Sequence, residues 1–217
     1  MTLHTPPQKA DRQTRLTGAD WIEAALKALV ENGIEAVQIT ALSRRLGVTR
    51  GSFYWHFDSR EGLLDALIAE WRARTTGVMV EAIADTSSLD DGILKLFAVW
   101  VDHSRFDPAL DQAIRDWARH DEALRQIVKT EDSARVAAIA GFYQRNGYAP
   151  NDAFIRARVI YFTQISYYAL KVEDDEAMTE RIGYLDAYFR CFTGREINPE
   201  ISAAYRKKVL DGEAGLE

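Results

Sequence analysis

The sequence predicts an all-α fold in which a group of short N-terminal helices is followed by a longer helical part. Apolar residues recur every three to four positions in nearly every segment after residue 16, which is the period of an amphipathic helix. Ser, Thr, Asp or Asn precede these segments, and several of them end at glycine, as helix capping requires. Alternating polar and apolar runs bounded by turns, which would indicate strands, are missing from the sequence.

The first two helices are indicated by their ends. Thr17 and Asp20 have the spacing of a capping box, and Gly33 ends the first helix. We expect Thr40 to cap a second helix that stops at Gly47. The apolar stripe of the first helix consists of Ile22, Ala25, Leu26, Leu29 and Val30.

A very short third helix and a long fourth helix are expected next. Thr49 can cap the third, which should reach about His56. Asp58 and Glu61 mark the start of the fourth, which we expect to continue to about Ala84. The later helices are expected to start at Ser88 or Asp90, at Asp107-Pro108, at Glu122 (ending at Arg145), at Asn151 (through Tyr168), at Ala177 (ending at Phe192) and at Asn198-Pro199.

Composition indicates an ordinary globular chain with an uneven charge. The 217 residues carry a net charge of −6, yet residues 1–60 hold eight Lys and Arg against six Asp and Glu. This asymmetry suggests a basic recognition end on an acidic body, although a charge surplus is also common on a solvated face. Cys191 is the only cysteine, and no apolar run approaches the length of a membrane span or a secretion signal. We therefore expect a cytoplasmic protein with no membrane partner.

Residues 39–56 have the outline of a helix-turn-helix, with Gly47, Val48 and Thr49 as the turn. Gly47 can adopt the left-handed backbone that such a turn needs. An ordinary corner between two helices would have the same outline, so geometry alone leaves both readings open. The expected apolar contact set is Leu42, Leu46, Val48, Phe53 and Phe57.

Three consecutive aromatic side chains, Tyr54, Trp55 and His56, favour the nucleic-acid reading. They sweep about 200° of a helix whose inner face is already taken by Phe53 and Phe57, so one neighbour cannot bury them all. The Tyr54 hydroxyl and the His56 imidazole suit phosphate oxygens. Predicted base-reading residues are Arg50 and Ser52, and predicted DNA-backbone residues are Thr40, Thr49, Gly51, Tyr54, His56 and Arg60.

The stretch ITALSRRLGVTRGSFYWHFDSREGLLDALI resembles the N-terminal DNA-binding segment of the TetR (tetracycline repressor) family of transcriptional regulators. The resemblance covers about residues 17–70 and follows the family pattern of Gly-Val-Thr, a small residue, a hydrophobic one, Tyr, an aromatic and His-Phe. It implies the same DNA contacts and adds Trp55 as a DNA-backbone residue, partly buried and partly against the backbone, while Arg60 stands where the family usually has lysine. Lys9, Arg12 and Arg15 could add contacts, although an idle flexible arm over residues 1–16 is the alternative.

The resemblance also implies a homodimer that binds a palindromic operator on double-stranded DNA. The helices at about 151–173 and 176–194 would form a four-helix bundle with the partner's copies, unless their apolar residues serve only the chain's own core. The expected interface residues are Val159, Phe162, Ile165, Ser166, Ile182, Leu185, Tyr188, Phe189 and Phe192.

A small-molecule effector pocket is the remaining implication of the resemblance. Apolar walls with a few polar groups are typical of such pockets. The effector would favour a dimer whose recognition helices are too far apart for both grooves, with the fourth helix as lever. The candidate lining residues are Phe97, Trp100, His103, Trp117, Phe142, Tyr143, Gln164, Tyr167 and Tyr168.

Taken together, the expected organisation is an arm over 1–16, a helix-turn-helix DNA-binding domain over 17–60 and an effector-binding and dimerisation domain over 61–217. The predicted function is a ligand-responsive repressor, and no cofactor or metal is expected. A ligand-independent architectural DNA-binding protein is the alternative. A small helical enzyme is a remote one, because the consecutive residues Asp102, His103 and Ser104 point in different directions and no His pair has metal-binding spacing.

Overall fold

The computed structural model describes residues 16–212. This part of the chain forms helices joined by short turns and contains no β-strand, so the predicted all-α fold is confirmed. None of its helices is long and apolar enough to cross a membrane. The predicted arm, with Lys9, Arg12 and Arg15, lies outside the described residues except for Leu16.

The first three helices are α1 (Gly18–Asn32), α2 (Ile39–Arg45) and α3 (Arg50–Phe53). The capping box of α1 is confirmed, because the Thr17 amide donates to Asp20 Oδ2 at 2.6 Å and the Asp20 amide donates to Thr17 Oγ1 at 3.4 Å. α3 is shorter than predicted and is followed by a turn that reaches His56, whose amide donates to the Phe53 carbonyl at 2.9 Å.

The predicted caps of α2 and α3 need correction. Thr40 does not cap α2, because the helix begins one residue earlier at Ile39, with Gln38 in the N-cap position. Thr49 does occupy the N-cap position of α3, but its side chain makes no capping hydrogen bond. Both threonine side chains are exposed on the helix-turn-helix surface.

α4 (Arg60–Arg72) continues through a π-helical turn (Ala73–Gly77) into α5 (Val78–Ala84), which confirms the predicted long helix to Ala84. A π turn is an irregularity that often marks a functional position in a helix. Thr75 is buried inside this turn, and its hydroxyl donates to the carbonyl of Trp71.

The remaining helices begin within about one residue of the predicted starts, but one predicted helix is divided in two. The stretch expected to form one helix from Ala177 to Phe192 is divided at Tyr184, immediately after Gly183, a residue that weakens a helix interior. The bounds are α6 (Leu89–Val101), α7 (Pro108–Ala118), α8 (Glu122–Arg145), α9 (Pro150–Ala169), α10 (Met178–Gly183), α11 (Leu185–Thr193) and α12 (Pro199–Leu210).

Two apolar cores hold these helices together. The N-terminal core contains α1 to α4, α7 and the start of α8, so its packing continues past the predicted domain boundary at residue 60. The C-terminal core contains α5, α6, most of α8, α9 and the helices that follow. Five polar residues that we call the polar layer connect the two cores: Asp111, Arg115, Asp132, Arg135 and Tyr161.

Candidate nucleic-acid interface and effector cavity

The short helix α3 is fixed to the N-terminal core by Phe53. This ring is fully buried, the Trp21 ring meets it edge-on at 5.2 Å between centroids, and the Phe57 ring stacks on it at 5.5 Å. Leu42 is also buried, and Leu46 and Val48 pack against the same core. The predicted apolar contact set is therefore confirmed, and it holds the outer face of α3 at a defined position.

The aromatic residues that follow Phe53 face solvent. Trp55 is 80% exposed and Tyr54 is 51% exposed, whereas His56 is partly buried. The expectation that Trp55 is partly buried is wrong, because Phe53 and Phe57 fill the space under the helix. An indole exposed to this extent loses favourable burial, which is typical of a surface that meets a partner.

The other predicted DNA contacts lie on the same surface. Thr49, Arg50 and Gly51 are exposed, and Ser52 is partly buried. A Cβ added at Gly51 would meet only Thr49 Oγ1, at 3.6 Å, so packing inside the chain does not require glycine there. Arg50 forms no hydrogen bond or ion pair within residues 16–212, and its charge is therefore available.

The four arginines of residues 39–60 have different environments. Arg45 is paired with Glu31 through two hydrogen bonds of 2.9 and 3.2 Å. Arg44 is exposed on α2 and, like Arg50, has no side-chain partner in the described part of the chain. Arg44 is not among the predicted DNA contacts, although its place in the helix-turn-helix marks it as a candidate contact.

Arg60 is engaged inside the protein. Its Nε donates to the Val37 carbonyl at 2.7 Å, and one of its terminal nitrogens donates to the Ile34 carbonyl at 3.3 Å. These carbonyls belong to the turn that connects α1 to α2, so the guanidinium holds that turn against the start of α4. This contact explains why a cation lies in the first turn of α4 without invoking an external phosphate.

Comparison with known proteins agrees with this geometry. Residues 22–67 match the sequence model of the bacterial regulatory proteins of the tetR family, and they contain α2, α3 and the Phe53 anchor. Residues 22–67 are called the tetR-family segment, after the family model that they match. The tetR-family segment is 40% identical over 60 residues to the class D tetracycline repressor protein of Escherichia coli. It is 33% identical over 61 residues to the transcriptional regulator TtgR of Pseudomonas putida.

These matches are confined to the N-terminal part. The tetracycline repressor match covers 28% of this chain and 28% of the relative, and the TtgR match covers 28% and 29%. Two solved structures are similar in fold over most of the chain, including the part after the N-terminal match. A candidate transcriptional regulator of Pseudomonas aeruginosa PAO1 superposes with a TM-score of 0.66 at 17% identity, over 91% of this chain and 97% of that one. The transcriptional regulator FadR of Bacillus subtilis, in complex with stearoyl-CoA, has a TM-score of 0.59 at 19% identity, over 81% and 97%.

Behind the tetR-family segment, α6, α9, α10, α11 and α12 surround a cavity of about 130 Å³. Five of the nine predicted lining residues lie on its wall: Phe97, Trp100, Gln164, Tyr167 and Tyr168. The sequence did not identify Arg181 and Tyr205, which also line the cavity. No period or motif links them to α9, because they approach it only through the packing of α10 and α12.

Four predicted lining residues lie elsewhere. His103 is exposed in the turn after α6, and Trp117 packs in the N-terminal core because α7 contacts α1 and α4. Phe142 and Tyr143 are fully buried in the C-terminal core. Phe142 fills the space above Gly92, where an added Cβ would lie 2.2 Å from the phenylalanine ring.

The predicted dimer surface divides into two groups. Val159, Phe162, Ser166 and Tyr188 are exposed, and Ile165 is partly buried. Ile182, Leu185, Phe189 and Phe192 are buried in the chain's own C-terminal core, so the expectation that they face a partner is wrong. Ile155 and Leu170, which are not among the predicted interface residues, extend the exposed apolar surface on and just after α9.

Proposed function

We propose that the protein is a ligand-responsive transcriptional repressor, which binds a palindromic DNA operator as a homodimer and is released by a small molecule. The observation that carries the proposal is the surface of α3. Arg50 on α3 and Tyr54 and Trp55 in the turn after it are exposed, while Phe53, the last residue of α3, is fully buried and fixed by aromatic neighbours. A rigidly held short helix with an exposed cation and exposed aromatic rings suits the major groove.

Within this proposal, Arg50 and Ser52 read base edges. Tyr54, His56 and the hydroxyls of Thr40 and Thr49 contact phosphates, because neither threonine uses its hydroxyl in a helix cap. Trp55 packs its ring against the sugar-phosphate backbone, and Gly51 allows that backbone to approach closely. Arg44 is added to the phosphate contacts on account of its exposed, unpaired side chain.

Dimerisation is proposed through the exposed apolar surface of α9. Val159 is 48% exposed, and Ile155, Phe162 and Leu170 continue the same surface. Exposed apolar patches of this kind are typical of interaction sites. A two-fold dimer would place two copies of α3 on successive major grooves, which requires an operator with two-fold symmetry.

Ligand response is proposed to pass from the cavity through α9 to α4. Gln164 lines the cavity, and Tyr161, one turn earlier, donates to Asp132 at 2.7 Å and accepts from Arg135 at 2.9 Å. Arg135 in turn donates to Thr75 and Thr76 of the π turn that follows α4. A ligand that shifts α9 would therefore act on polar contacts at the C-terminal end of α4, the helix that follows α3 in the chain. The cavity favours this reading over a ligand-independent architectural protein.

The test is selection of bound duplexes from a random pool, followed by binding assays on the enriched sequence. We expect a palindrome with half-sites about one helical turn apart. Arg50→Ala should relax the preference at one base pair in each half-site, whereas Tyr54→Phe should weaken binding to all duplexes alike. Arg119→Ala, at an exposed position after α7, is the control and should change neither property. Enrichment of no symmetric sequence would refute the proposed operator.

A further inference from the structure

The cavity is the size of one aromatic ring with a small substituent. Its volume is about 130 Å³, and an apolar cavity of about 150 Å³ engineered in another protein is known to bind benzene. Its wall includes the rings of Phe97, Tyr167, Tyr188 and Phe192. Such a wall offers stacked and edge-on contacts to a planar ligand. A long acyl chain needs several times this space.

The cavity wall carries neutral polar side chains that form no hydrogen bond among residues 16–212, and the buried Nε1 of Trp100 is one of these groups. Gln164 on α9 is buried, and its amide makes no hydrogen bond within residues 16–212. The hydroxyl of Tyr205 on α12 also lacks a hydrogen bond in the described part, and burial raises the pKa of this phenol. Buried polar groups are nearly always hydrogen-bonded, so the buried Gln164 amide and the partly buried Tyr205 hydroxyl favour a ligand with polar atoms.

The wall also carries a cation, the Arg181 guanidinium, which has no ion-pair partner among the described residues. The Arg181 guanidinium lies 5.1 Å from the centre of the Tyr167 ring and forms no ion pair among the described residues. Glu176 is the nearby acidic residue on the wall, but its Oε2 already accepts the Tyr167 hydroxyl at 2.9 Å. Burial raises the pKa of Tyr168, and the neighbouring Arg181 partly opposes that rise.

The polar groups that the wall offers to a ligand are therefore mainly hydrogen-bond donors, and they include a guanidinium, an amide and a phenol. A carboxylate supplies only acceptors, at two oxygens, and is the natural partner of a guanidinium. We infer that the cavity binds a monocyclic aromatic carboxylate, an inference that rests on the proposed effector role of the cavity. The ring lies among Phe97, Tyr188 and Phe192, and the carboxylate accepts from Arg181, Gln164 and Tyr205. Such a ligand connects α9, α10 and α12.

The experiment is calorimetric titration of the full-length protein with benzoate, benzylamine and stearate in parallel. We expect saturable binding of benzoate and weaker or undetectable binding of the other two. Arg181→Gln should weaken benzoate binding about tenfold or more, because it removes a charge-assisted hydrogen bond. The control is Arg190→Gln, which removes an exposed arginine on α11 that is paired with Glu196, and it should leave the affinity unchanged.

The variant Gln164→Leu distinguishes the loss of a ligand contact from a loss of folding stability. It should weaken benzoate binding while leaving the melting temperature of the unliganded protein unchanged or raised, because it removes a buried amide without a partner. Tighter binding of benzylamine or stearate than of benzoate would overturn the inference, and so would equal affinities for Arg181→Gln and Arg190→Gln.

Operator binding without any ligand is measured on the same samples. A protein that binds its operator but ignores benzoate would refute only the ligand class. Failure to bind any selected duplex would refute the proposed function, whatever the calorimetry shows. Benzoate binding that does not release the operator would contradict the effector role and leave the ligand class supported.

Discussion

The indole N–H of Trp71 donates a hydrogen bond to Asp111, with 2.8 Å between Nε1 and Oδ1. Both residues are buried, and they lie on α4 and α7, 40 positions apart in the chain. Asp111 also accepts from Arg115 Nε at 2.8 Å and lies 3.4 Å from Arg135. One carboxylate therefore joins the helix that follows α3 to two arginines of the polar layer.

Asp111→Asn should destabilise the protein strongly. The substitution removes the negative charge shared by the partly buried Arg115 and the buried Arg135, and breaking a buried ion pair costs about 3–5 kcal/mol. Urea denaturation at fixed protein concentration measures the change in the free energy of unfolding. Asp116→Asn, at an exposed position of the same helix, is the control and should stay within about 0.5 kcal/mol of wild type. Equal losses in both variants would show that the polar layer contributes little.

The pH dependence of stability should report on Asp132. Burial raises the pKa of this carboxyl, but hydrogen bonds from Arg115 and Tyr161 outweigh it, so the pKa lies below its usual value. A depressed folded-state pKa adds stability that is complete above the unfolded pKa of about 4 and is lost as the pH falls further. We expect the free energy of unfolding to fall less steeply between about pH 5 and pH 3 in Asp132→Asn than in wild type. The slope of Asp65→Asn, an exposed residue of α4, should match wild type, and a wild-type slope in Asp132→Asn would contradict the assignment.

The helices and the anchoring of α3 could be predicted because their signals are local. Caps, glycine stops and the 3.6-residue period lie within a few positions of each other, and so does the pair Phe53 and Phe57. Thr40 was misjudged because helix boundaries shift by a residue or two without changing the pattern, and here α2 begins at Ile39.

The parts that could not be predicted depend on packing between distant segments. Arg60 donates to carbonyls 23 and 26 residues earlier, and no sequence pattern encodes those partners. From the sequence alone, an aromatic residue such as Trp117 or Phe142 is equally consistent with a core position and with a cavity wall, because the packing of the helices decides between them. Arg181 was overlooked for the same reason, because only the position of α10 beside α9 brings it to the cavity.

Arg60→Gln should distinguish an internal role from a phosphate contact. Loss of the hydrogen bonds to Val37 and Ile34 should lower the free energy of unfolding by about 1–2 kcal/mol. If the guanidinium serves only these carbonyls, the salt dependence of DNA binding stays as in wild type. Arg44 is an exposed arginine without a partner in residues 16–212, so Arg44→Gln should have the opposite effects. Its free energy of unfolding should be unchanged, and the slope of log K for DNA binding against log salt concentration should be smaller in magnitude by about one. A smaller salt dependence of DNA binding in Arg60→Gln would instead support the predicted contact between Arg60 and a phosphate.

Gly51→Ala should separate stability from DNA affinity. An added Cβ meets only Thr49 Oγ1 at 3.6 Å, and alanine in a helix is favoured over glycine by about 0.5–1 kcal/mol, so stability should rise. DNA affinity should fall if a DNA backbone approaches this position closely. Gly62→Ala in α4 is the matched control, because a Cβ there meets only Ser59 Oγ at 3.9 Å, and it should leave DNA affinity unchanged. Unchanged affinity in Gly51→Ala would remove Gly51 from the interface.

Val159→Glu should dissociate the proposed dimer without unfolding the chain. Val159 is 48% exposed on α9, so a charge there costs little in the monomer, whereas it would be desolvated between two apolar surfaces. Sedimentation velocity should show a dimer for wild type and a monomer for the variant, with unchanged helical content by circular dichroism. Binding to a full palindrome should weaken while binding to one half-site persists, since only the dimer engages both grooves. Val80→Glu, at an equally apolar position of α5 that is 39% exposed, should remain dimeric. A dimeric Val159→Glu would place the interface on another face, because a buried glutamate without a partner cannot be accommodated there without large loss of affinity.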